Sequence, residues 1–152
     1  MNTTHNPAVP APRSFLATWP VWLVGVLAAV VAATLTELFA LATSALGVPM
    51  EAASGDATEA APIPLGGFAM AVLIWSVVGI ILAVVLARWA KRPARTFVVT
   101  TVVLTVLSLI GPALATHTAT STKIVLALAH LVAAAVVIPL LAIRLSHQAP
   151  KR

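Results

Sequence analysis

The stretch LGGFAMAVLIWSVVGIILAVVLARW, from Leu65 to Trp89, decides the fold, and Arg88 is its one charged residue. About 20 predominantly apolar residues suffice for a helix to cross the roughly 30 Å hydrocarbon core of a bilayer, and this run exceeds that. Arg88, Lys91, Arg92 and Arg95 crowd its end, and Pro93 makes the turn a sharp stop. Three further apolar runs flank it, from Phe15 to Val48, from about Thr96 to Ala115 and from about Thr122 to Leu145. The expected architecture is therefore all-α: a four-transmembrane-helix bundle over residues 15–145, with spans at about 17–47, 65–89, 96–115 and 122–145. Such short connections predict an up-down-up-down arrangement.

Composition agrees. Of 152 residues, 61% are hydrophobic and 9% charged, and mean hydropathy is +1.06. A soluble domain carries about 25% charged residues, so no water-soluble fold could hide this apolar excess. Residues 1–14 hold three prolines and little that packs, and read as a disordered head. Residues 146–152 read as a polar, frayed tail. The first apolar run is roughly twice the 7–15 residues of a cleavable signal, so it is read as a retained span. Zero cysteines exclude disulfides, thiol catalysis and thiolate metal sites.

Charge placement predicts orientation. With the N-terminus inside, Arg13, Arg88, Lys91, Arg92, Arg95, Arg144, Lys151 and Arg152 are inside and only Lys123 is outside. Basic residues in short loops stay cytoplasmic, so both termini are expected in the cytoplasm, in a cell membrane. Trp19, Trp22 and Trp89 fall near the same boundary, where aromatic anchors belong. The segment from Val48 to Pro64 carries Glu51, Asp56, Glu59 and three prolines, and reads as an outer polar gap. The net charge of +5 is explained by topology, so nucleic acid is not an expected partner.

Helices in lipid associate through small residues and polar contacts. Ala69, Ser76, Gly79 and Ala83 form one thin face of the second span, and Ala127 with the run Ala133 to Ala135, Ala134 at its centre, thins the fourth. Thr34, Glu37 and Ser44 share a stripe on the first span; Thr101, Thr105, Ser108 and Pro112 share one on the third. Back-bonding of those hydroxyls to their own helix is the plain explanation.

Glu37 is the one acid inside a span, where a charge costs roughly 2.5–3.5 kcal/mol on insertion scales, so it needs a partner. His130 follows Lys123 by seven residues, on the same helix face and at a depth similar to Glu37. A polar cluster of Glu37, His130 and Lys123, with His117 at its mouth, is thus geometrically allowed, and imidazole with carboxylate could relay protons. The alternatives are a Glu37 that only holds helices together, a His130 satisfied in packing, and a Lys123 that snorkels to outer headgroups. No catalytic motif and no recognised metal-ligand spacing is present, and no cofactor is expected. The Gly66-Gly67 pair is read as shaping the start of the second span rather than gripping an anion.

The stretch PALATHTATSTKIVLALAHLVAAAVVIPLLA, Pro112 to Ala142, resembles a family of small four-helix membrane proteins from actinobacteria, most distinctively in S-T-K and H-L-V-A-A. That resemblance implies a fold and a cell-membrane location, and no chemistry. The leading expectation is a non-enzymatic structural, accessory or partner-binding membrane module, whose partners are the bilayer and either further copies or another membrane protein. The alternatives are a small proton-coupled transporter using Glu37 and His130, and a haem- or quinone-binding redox protein.

Overall fold

A computed structural model describes residues 18–53 and 57–148. The expected head, Asp56, Arg13, Lys151 and Arg152 lie outside the described residues. The elements are α1 (Val21–Ala45), β1 (Glu51–Ala52), β2 (Ala61–Pro62), α2 (Gly67–Trp89), α3 (Pro93–Ser108), α4 (Ile110–Leu114) and α5 (Thr120–Ser146). Among the described residues, four helices are long and apolar enough to cross a membrane: α1, α2, α5, and α3 with α4 taken together as Pro93–Leu114.

α1 is the central rod, packed mainly against α2 and α5, while α3 packs mainly against α5. Its buried face is made of small residues: Gly25, Ala28, Ala29, Ala32, Ala33, Thr36 and Ala40 recur at helical spacing and are covered. Small side chains let backbones approach closely, which is how helices gain dispersion contact without a hydrophobic drive. The tightest approach is at Gly25, where a Cβ would lie 2.6 Å from Ile80 Cγ1.

Two apolar clusters hold the ends. Val21, Val24, Ala83, Phe97, Leu141 and Leu145 form one, and Ala40, Phe68, Val125 and Ala129 the other. At the first, Arg144 Nε donates to the Trp19 carbonyl at 2.6 Å, tying the last turn of α5 to the approach to α1. Between these clusters much of the helix surface is exposed and apolar. Trp75 in the middle of α2 is 73% exposed, and Val77, Val78, Val103 and Leu107 are exposed on α2 and α3.

Local chemistry explains the helix ends. Gly47, at φ +89°, closes α1, with Val48 N–H donating to Thr43 O at 3.2 Å and Gly47 N–H to Ser44 O at 2.9 Å. That pair of bonds satisfies the last carbonyls through a left-handed glycine. The third span departs from a single helix. Pro112 has no N–H to offer Ser108 O and its ring crowds that carbonyl, so α3 stops at Ser108 and α4 begins at Ile110. The polar gap is also more ordered than a plain loop: Glu51 pairs with Pro62 and Ala52 with Ala61 in a short antiparallel ladder.

Candidate functional site

α2 begins without a cap of its own. Its N-cap is Gly66, at φ +83°, a backbone conformation that favours glycine and supplies no side chain. The segment I-P-L-G-G offers no Ser, Thr, Asp or Asn for the first amides, which a helix must satisfy from somewhere. Glu37 of α1 does it. Its Oε1 accepts from the Gly66 N–H at 2.7 Å and its Oε2 from the Ala69 N–H at 3.0 Å.

One carboxylate thus performs both halves of a capping box, which normally needs a hydroxyl at the N-cap and an acid three residues later. Here both come from a neighbouring helix, 29 and 32 residues away in sequence. Hydrogen bonds to a charged group are worth about 1.5–3 kcal/mol each, and an acid at a helix N-terminus adds up to about 2 kcal/mol when partly buried. Together these match or exceed the roughly 2.5–3.5 kcal/mol cost of the charge in lipid. Of the Gly66-Gly67 pair, Gly66 alone donates to this internal carboxylate, while the Gly67 N–H donates to the Pro64 carbonyl at 2.9 Å.

The other members of the expected cluster sit apart from this bond. His130 is half-buried on α5, and its Nδ1 lies 2.7 Å from the Leu126 carbonyl one turn back on the same helix. Lys123 is half-buried in the first turn of α5. His117 is exposed in the α4–α5 turn at φ +51°. No hydrogen bond or ion pair joins Glu37, His130, Lys123 and His117 to one another among the described residues, and no group of three or more His, Cys, Asp or Glu there could hold a metal ion.

The turn that carries His117 is used differently. Thr118 Oγ1 accepts from the Ala53 N–H at 3.0 Å, and the buried Thr122 hydroxyl donates to the Pro49 carbonyl. The connection between α1 and α2 is therefore stitched to the start of α5, on the side where Glu37 holds α2. Several hydroxyls within the helices are taken up locally: Thr34 by Val30 O, Thr101 by Phe97 O, Thr105 by Thr101 O and Ser108 by Thr105 O. Among the described residues, Thr36 has a fully buried hydroxyl without a partner.

A shallow groove beside Glu37 is lined by Val30, Ala33, Thr34, Leu38, Ala69 and Leu73. Its polar atoms are engaged, Thr34 by its own helix and Glu37 by α2, so it presents hydrocarbon. Of the expected packing residues, Ser76 and Ala83 are buried, Ala127 and Ala134 half-buried, and a Cβ on Gly79 would meet nothing within 4 Å. The close contact lies one residue further, where Ile80 meets Gly25.

Against known proteins, a model of a family of unknown function, DUF6069, matches residues 17–147. The chain belongs to this family. The DUF6069 match takes in every element described here, from α1 to the end of α5. No curated protein and no solved structure matches the chain.

Proposed function

We propose that this DUF6069 protein is a multi-pass protein of the cell membrane that acts as a non-enzymatic accessory or partner-binding module, its four spans running up-down-up-down with both ends of the chain in the cytoplasm. The observation that carries the reading is the engagement of Glu37, the one acid within a span, by the Gly66 and Ala69 amides. A carboxylate fixed by two backbone donors serves architecture, and a proton carrier needs a group free to exchange. Support for the topology comes from the exposed apolar surface, from Arg144 meeting Trp19 at one end and Thr122 meeting Pro49 at the other, and from Arg95 lying beside Ile143 and Ser146 at the Arg144 end of α5.

The carrier reading retains one observation, that Glu37 lines a groove. Proteoliposomes decide between them. Under an imposed pH gradient, vesicles holding the protein should dissipate it no faster than empty vesicles, and E37Q should change stability without changing flux. A proton or solute flux that folded E37Q abolishes would overturn the module reading. Redox-cofactor binding is tested separately: protein purified from its own membrane should show no haem absorbance and no bound quinone on extraction.

A further inference from the structure

We propose that the groove between α3 and α5 is a docking site for one anionic phospholipid, with an acyl chain along the groove and the phosphate at the α2–α3 turn. The groove is lined by Ala94, Val98 and Val99 of α3 and Ala142 and Ile143 of α5, with Arg95 and Ser146 at its polar end. Its walls are hydrocarbon and its mouth is basic. The Ser146 hydroxyl already donates to Ile143 O at 2.8 Å, which leaves the Arg95 guanidinium as the group that recognises a ligand there.

Lys91 and Arg92 immediately precede α3 and, like Arg95, are exposed. No acid lies between Arg88 and the end of the chain. The described acids are Glu37, held at the first turn of α2, Glu51 in β1 and Glu59 in the β1–β2 connection, all at the opposite end of α2 from this turn. Three exposed cations with no acid among them call for counter-ions from outside the chain. An apolar trough that ends in basic side chains matches an amphipathic anion, and a zwitterionic lipid or a free anion satisfies only one half of it. Juxtamembrane basic residues gain about 1 kcal/mol each from an anionic leaflet, a factor of roughly five per charge.

This inference rests on the membrane reading above, and the test separates the two. The full chain is purified in a neutral detergent and titrated with phosphatidylglycerol, phosphatidylcholine or inorganic phosphate, following the thermal midpoint and the bound lipid by native mass spectrometry. Phosphatidylglycerol should raise the midpoint and remain bound, while the other two leave it unchanged. R92Q/R95Q should weaken binding on the order of 25-fold, R92K/R95K should retain it, and K123Q, on the far side of the bundle, should bind like the parent. Val99→Trp, which fills the groove and keeps every charge, should also weaken binding. Equal retention of phosphatidylcholine, a shift reproduced by phosphate alone, or unchanged binding by folded R92Q/R95Q or Val99→Trp would overturn the site. A chain that stays monodisperse without detergent would instead overturn the membrane reading itself.

Discussion

At the scale of single residues, Glu37 concentrates what this chain does with polarity. Glu37→Ala removes both acceptors from the start of α2, and E37Q turns one acceptor into a donor that faces an N–H. Loss of about 1–3 kcal/mol is expected for each amide left unpaired, with Glu37→Ala the more damaging, read as a lower thermal midpoint in detergent. His130→Ala should cost well under that, because the Leu126 carbonyl keeps its helical partner, and the two effects should add, since Glu37 and His130 share no partner. Thr36→Val should be neutral or stabilising, because it replaces an unpartnered buried hydroxyl with a methyl of similar shape. That Glu37 needs a partner was legible from its position in an apolar run. Which partner was not, because backbone amides leave no letter in a sequence. The missing cap before Gly67 was the available signal: an acid without a donor and a helix without an acceptor, in one short chain.

At the scale of elements, the four apolar runs announced their helices, since hydropathy over 20 or so residues is set by composition alone. Helix pairing was harder to read. Small residues on the second and fourth spans looked like the contact faces, yet the stripe most deeply covered belongs to α1, from Gly25 to Ala40. Ala-rich sequence occurs on every span, so composition does not say which thin face meets which neighbour. Gly25→Ala should destabilise by about 1–3 kcal/mol as Ile80 is displaced, with Ile80→Ala restoring part of the loss, whereas Gly79→Ala should fall within about 0.5 kcal/mol of the parent. Thermal unfolding of the three variants side by side checks the pairing of α1 with α2. The break between α3 and α4 was half visible: Pro112 stood in the third span, but the stripe it shares with Ser108 assumed one unbroken helix.

For the whole molecule, orientation is the property most open to direct test. With no native cysteine, single Glu59→Cys and Lys91→Cys substitutions place labels at two exposed sites. An impermeant maleimide should reach Glu59→Cys in intact cells and Lys91→Cys only after permeabilisation; the reverse pattern would invert the topology. The bond between Arg144 and Trp19 spans 125 residues, and α5, which covers much of α1, is made after the other helices described here. α1 therefore waits for α5 to cover it, and until then its alanine-lined flank stays open to chaperones, insertases and proteases. Nascent chains cut short before Thr120 should be degraded as orphans, which makes the synthesis of α5 the checkpoint for this protein's survival.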